Sequence, residues 1–142
     1  MILPDVNVLV HAHNVDSPVH DKARRWWDGC LGGPTGVGLA WVTLLGFIRV
    51  TTHRRIMDRP LPIDDVLRRL ESWLRLPHVH IPHPGEAHFD SLSAALRRLG
   101  TAGNLTTDAH LATLAIERGY VLHTTDADFA RFPGLRSVNP CA

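Results

Sequence analysis

Apolar residues fall into runs of two kinds along this chain of 142 residues. Ile2 to Val10 is short, apolar and rich in β-branched residues, the pattern of a strand covered on both faces. Val79 to Ile81, Val121 to Thr124 and Leu135 to Val138 are shorter stretches of the same kind. Between them the spacing turns helical. Ser17-Pro18 reads as an N-cap and a first-turn proline, opening a helix that carries Trp26 and Trp27 and stops near Gly29. Gly32 to Gly38 is a loop, and Leu39 to Thr52 is apolar enough for a buried helix. Pro62-Ile63-Asp64-Asp65 starts another that runs to about Leu76. Phe89, Leu92, Leu96 and Leu99 place a helix over Glu86 to Leu99, closed by Gly100. Thr107 or Asp108 caps the next, which runs through Arg118 to Gly119, and Asp126 to Phe132 forms a turn or one helical turn.

Strands alternating with helices predict an α/β fold, a three-layer α/β/α sandwich with a mostly parallel central sheet, in a single domain over residues 1–142. The formal charge of +1 announces no polyanionic partner by itself, although 14 of the 15 basic residues are arginine and cluster unevenly. Cys30 and Cys141 are too few and too scattered for a disulfide framework and are read as free thiols. Asp5 breaks the first apolar run before it could act as a leader or a membrane span, so a cytoplasmic protein is expected.

The chemistry lies in the acids that end these apolar runs. Asp5, Asp108 and Asp126, with Asp128 beside the last, fall at strand exits or at the helix start just after one. That is the edge of an open parallel sheet where ligands bind. Three carboxylates about 5 Å apart repel by roughly 3 kcal/mol per pair at an effective dielectric near 20, so protons or a cation must compensate. Hard oxygen donors suit magnesium or manganese. Each acid also has a local role open to it: Asp108 as a helix cap or first-turn acid, Asp126 and Asp128 as turn residues, Asp5 as a strand-end acid.

Several segments resemble one known family. Asp5-Val6-Asn7-Val8-Leu9, Asp108-Ala109-His110-Leu111-Ala112 and Thr124-Thr125-Asp126-Ala127-Asp128-Phe129, followed by Phe132-Pro133-Gly134-Leu135, are similar to a PIN domain. Gly46-Phe47-Ile48-Arg49-Val50-Thr51-Thr52 and Val138-Asn139-Pro140 resemble the mycobacterial-type branch of VapC toxins. The resemblance implies a Mg2+-dependent endoribonuclease, with Mn2+ as a substitute. Such a protein is the toxin of a toxin–antitoxin pair, a homodimer held inactive by a small antitoxin. It further implies that Asp5, Asp108 and Asp126 are catalytic metal ligands and that Asp128 is a supporting ligand or water-holder. Asn7 and Thr124 would hydrogen-bond and orient the carboxylates. Products with 5′-phosphate and 3′-hydroxyl ends follow from the same likeness.

One position departs from the family pattern. Most PIN domains carry a glutamate where this chain has Gly46, and Glu71, Glu86 and Glu117 all lie elsewhere. One tightly held cation rather than two is therefore expected. Arg49 and His53 follow Gly46 on one helical face, where Arg49 either clamps substrate phosphate or pairs with a site acid. Arg54, Arg55 and Arg59 add to that basic stretch, a grip for RNA or merely a solvated helix end. Ten histidines, among them His78, His80, His83 and His88, match no fixed zinc spacing. Trp26, Trp27, Trp41 and Trp73 are expected in the core or a dimer interface. Two other functions compete. A non-catalytic module that binds antitoxin or RNA would need only the acidic pocket. A haloacid-dehalogenase-type phosphatase would need an Asp-x-Asp start, which Asp5-Val6-Asn7 matches poorly.

Overall fold

Asp5 divides the first apolar run in two. In the computed structural model, which describes residues 1–142, strand β1 (Ile2–Pro4) gives way at Asp5 to helix α1 (Val6–His13). This corrects the expectation of one strand from Ile2 to Val10. The Asp5 carboxylate accepts a 2.7 Å hydrogen bond from the Val6 N–H, and its backbone sits at φ −82°, ψ 162°, the geometry of an N-cap. Beyond it the buried residues are Val8, Leu9, Ala12 and His13, a helical spacing. A short apolar run satisfies either period, and the capping acid decides which one is realised.

Helix α2 (His20–Gly32) begins later than Ser17-Pro18 suggests. Ser17 closes the turn before it, its Oγ accepting from Val19 N–H at 3.2 Å and its carbonyl from His20 N–H at 3.1 Å. The segment expected to be loop contains strand β2 (Val37–Gly38). Two residues cannot show a period, so pairing alone makes it a strand: Val37 N–H donates to the His78 carbonyl and Leu39 N–H to that of His80. There follow α3 (Trp41–Thr51), α4 (Ile63–Leu74), β3 (Val79–His80), α5 (His88–Leu99), α6 (Thr106–Arg118), β4 (Val121–His123) and β5 (Ser137–Val138). Short 3-10 turns cover Gly103–Leu105 and Ala127–Arg131. Gly119 ends α6 at φ 69°, a left-handed cap that glycine adopts without strain.

The five strands are all parallel, in the order β3-β2-β1-β4-β5. One face packs on α1 to α4 through a cluster that includes Leu9, Trp27, Phe47 and Trp73. The other packs on α5 and α6 through Leu3, Leu114, Leu122 and Phe129. This is the three-layer α/β/α sandwich predicted. Register sets up the site: Pro4 of β1 faces His123 of β4, and Asp5 N–H donates to the His123 carbonyl at 2.9 Å. The residues leaving these two central strands, Asp5 and Thr124, are thus held side by side. No helix is long and apolar enough to cross a membrane.

Candidate functional site

Thr124 ties the two strand exits together. Its hydroxyl donates to Asp5 Oδ2 at 2.9 Å and accepts from the Asp126 N–H at 3.0 Å. Asp126 in turn caps the 3-10 turn, its Oδ1 accepting from Asp128 N–H at 2.8 Å. A chain of local hydrogen bonds therefore fixes Asp5 and Asp126 relative to each other. Thr43, buried on α3, adds a 3.2 Å bond from its Oγ1 to the Pro4 carbonyl just ahead of Asp5. The Thr43 contact was not read from the sequence, where an isolated threonine in an apolar helix carries no signal.

Asp108 approaches from the third element. It lies in the first turn of α6, whose N-cap is Leu105, so neither Thr107 nor Asp108 is the cap expected. The Asp108 carboxylate is half-buried and makes no hydrogen bond or ion pair. Burial, and then the charges of Asp5, Asp126 and Asp128, push its pKa up to about 6. Asp5 is buried too, which raises its carboxyl, while the bonds from Thr124 and Val6 act the other way and the charge of Asp126 adds to the rise. Four acids from three elements thus share one field. An all-carboxylate donor set with this much uncompensated charge suits a hard divalent cation. Yet no three His, Cys, Asp or Glu side chains anywhere stand close enough to form a finished cage.

The other residues singled out in the sequence divide. Asn7 is exposed, two residues past the cap, and forms no hydrogen bond to any acid; the orienting contact is made by Thr124 alone. Arg49 is exposed and in no ion pair, and it lines a cavity of about 250 Å³ with Val6, Val42, Leu45, Gly46 and Thr107, next to Asp108. His53, Arg54 and Arg55 lie exposed beyond the end of α3, with His53 Nδ1 accepting from Arg55 N–H at 3.1 Å. The histidines of the third strand region are tied down locally: His78 Nε2 meets the Cys30 carbonyl, His80 Nε2 the Tyr120 hydroxyl, and His88 both Glu117 and His110. Trp27 and Trp73 are core residues, and Trp41 is 53% exposed on the single chain.

Gly46 has a packing reason. A Cβ built there would stand 2.6 Å from Val6 Cγ2, and a valine methyl has no flexible stem with which to retreat. Gly46→Ala is expected to cost about 1–3 kcal/mol through overpacking. Thermal denaturation checks this: Val6→Ala in the same chain should recover most of the lost stability, and equal losses in the single and double variants would refute the contact.

The PIN domain family profile matches residues 2–135. Ribonuclease VapC33 of Mycobacterium tuberculosis (strain H37Rv) is 39% identical over 140 residues, which cover 99% of this chain and 98% of that protein. Ribonuclease VapC37 of the same strain is 41% identical over 142 residues, 100% of this chain and 99% of its own length. Among solved structures, VapBC-1 from nontypeable Haemophilus influenzae superimposes over the whole of both chains with a TM-score of 0.68 at 16% identity, a likeness of fold.

Proposed function

Because this chain belongs to the PIN-domain family, among the mycobacterial VapC proteins, we propose that it is a Mg2+-dependent endoribonuclease and the toxin of a toxin–antitoxin pair. The observation that carries the catalytic half is Asp108: a half-buried carboxylate with no partner, pushed up to about 6 beside Asp5, Asp126 and Asp128. Relatives named ribonucleases support the substrate class, and the toxin–antitoxin complex among its structural neighbours from Klebsiella pneumoniae supports a small antitoxin as partner.

Asp5, Asp108 and Asp126 would hold the cation, with Asp128 in support. When bound, Mg2+ lowers the pKa of a coordinated water and neutralises charge developing on the phosphate being cut. The chain's own contributions follow from its bonds. Thr124 holds Asp5 Oδ2 and the backbone of Asp126, so that both acids keep their orientation when charge changes nearby. The Val6 N–H holds Asp5 Oδ1. Asp108, with no such restraint, is free to adjust and is the acid whose proton must leave before the site is fully charged. Arg49, unpaired and beside Thr107, is placed to meet a phosphate oxygen of the strand. Manganese should substitute, since it shares the oxygen preference. A homodimer in the cytoplasm completes the reading by family likeness.

The test is cleavage of a mixed RNA by the purified protein across a magnesium titration with a chelator control, followed by analysis of product ends. Metal-dependent cutting with 5′-phosphate products is expected. RNA retention without cutting at any metal concentration would favour the non-catalytic binder, for which the absent glutamate at position 46 speaks. Thr124→Val keeps shape but loses both hydrogen bonds. It should lower the cleavage rate about 10–100-fold, as for other groups that orient metal ligands, and cost about 1–3 kcal/mol of stability. Unchanged kinetics in Thr124→Val would remove Thr124 from the site.

A further inference from the structure

At the end of α1 remote from Asp5, about 12 Å along the helix, lie two adjoining cavities. One of about 360 Å³ is lined by residues including His13, His20, Arg24, Arg59 and Arg69. The second, about 480 Å³, shares His13, Arg24 and Arg69 and adds Trp27, Asp28 and Trp73. The shared residues make them one cleft between α1, α2 and α4.

The cleft carries three arginines against one carboxylate. Asp28 is the only carboxylate in its lining, and it is engaged by Arg24 at 3.3 Å. Arg59 has an exposed, 3.7 Å contact with Asp16, and Arg69 has no carboxylate partner. Beneath them, Trp27 is 1% exposed and its indole Nε1–H is the one buried side-chain polar atom in the protein without a hydrogen-bond partner. Trp27 meets the Trp73 ring edge-on at 5.0 Å, which offers that N–H at most a weak aromatic acceptor. That nitrogen is closed off from solvent beneath the second cavity, so the indole reports on the cleft without reaching a ligand itself. The surrounding charge is felt by His13: its Nδ1 meets the Leu9 carbonyl at 2.7 Å, and burial, with the positive Arg69 and Arg24, holds its pKa down to about 4.

We propose that this cleft is a phosphate-binding site separate from the acidic centre, in which Arg24, Arg59 and Arg69, which line the same cavity, grip a phosphate group. Forked guanidinium groups lining one cavity suit the oxygens of a phosphate, and planar bidentate pairing is what arginine offers beyond its charge. The phosphate is presented either by an RNA strand or by a free phosphate ester. At the far end of α1 from Asp5, about 12 Å along the helix, the site binds without taking part in cleavage.

The experiment uses the full chain in a chelator, so that no cutting occurs, and follows the tryptophan indole signals in two-dimensional proton–nitrogen NMR. Four tryptophans give four signals, and Trp27 is assigned by its loss in Trp27→Phe. Inorganic pyrophosphate and a short single-stranded RNA are the probes. Each is expected to shift the Trp27 signal saturably and to leave that of exposed Trp41 in place. Arg69→Gln and Arg24→Gln should each weaken the apparent affinity about tenfold with an unchanged circular dichroism spectrum. Saturation at lower concentration by RNA, lost steeply with added salt, assigns the phosphate to a nucleic-acid strand; the reverse order assigns it to a free ester. Three results would overturn the proposal: no saturable shift with either probe, binding by both arginine variants equal to that of the natural chain, or tighter binding of a polyglutamate peptide than of both phosphate probes, which would make the cleft a groove for an acidic protein segment.

Discussion

Asp5→Asn is expected to slow RNA cleavage about 10³-fold or more and to release cells from growth inhibition. Removal of one group that stabilises transition-state charge typically costs 10²–10³-fold, and Asp5 is asked to do more than that by holding the cation as well. The fold should survive. Asparagine is as good an N-cap as aspartate, so the bond from Val6 N–H can persist at Oδ1, while the amide NH2 that replaces Oδ2 donates to the Thr124 hydroxyl, which turns from donor to acceptor. Metal-free Asp5→Asn should even be slightly more stable than the natural chain, because a buried carboxylate that repels Asp108 and Asp126 has become neutral. Loss of cleavage with retained or raised melting temperature is the signature of a functional group rather than a structural one. Toxicity undiminished by this substitution would remove Asp5 from the mechanism.

The second large effect joins acidity to the cation. Asp108 has an ordinary carboxyl value of 3.8 when unfolded and about 6 in the folded chain, so between those limits the folded protein binds more protons than the unfolded one. Stability contributed by this group is therefore present at low pH and is lost as pH rises from about 4 to 6. A shift of about two units corresponds to roughly 3 kcal/mol, and for a half-exposed carboxyl about 1 kcal/mol of it should survive solvent screening. His13, held near 4 instead of 6.5, pulls the other way over much the same range, so the whole protein's profile is a compromise. The difference between the natural chain and Asp108→Asn isolates the acid. Calorimetry should find Asp108→Asn more stable by about 2–4 °C at pH 7 and the gap closed near pH 4. Millimolar Mg2+ should raise the melting temperature of the natural chain at pH 7.5 by a similar amount, have little effect at pH 5, and leave Asp108→Asn unmoved. A cation effect equal in both proteins would place binding elsewhere.

Most of the architecture was legible because it rests on long periodic segments. The helices from Leu39, Pro62 and Glu86 and the one ending at Gly119 appear within a few residues of their expected positions. What was not legible depends on pairing or on a single polar contact. β2 is two residues long and exists only because β1 and β3 flank it. The start of α1 hangs on the Asp5 cap, which the apolar letters around it concealed. At the site, the recurrence of aspartate after apolar runs announced the shared field of Asp5, Asp108, Asp126 and Asp128. The family resemblance supplied both Thr124 and Asn7 as orienting residues; Thr124 makes such bonds to two of the acids and Asn7 to none. Arg24, Arg59 and Arg69 come from three separate stretches of sequence, and no linear pattern joins them around Trp27.

The pairing of Asp5 with Thr124 spans 119 residues. During translation the segment bearing α1 to α4 emerges first and can build its layer, yet β4 and the turn bearing Asp126 are supplied only after α5 and α6. On the nuclease reading, a ribosome making this chain is not threatened by its own unfinished product. A fragment that ends before residue 121 lacks one wall of the acidic centre, so on this reading an inhibitor is needed only once residues 121–128 have joined the sheet.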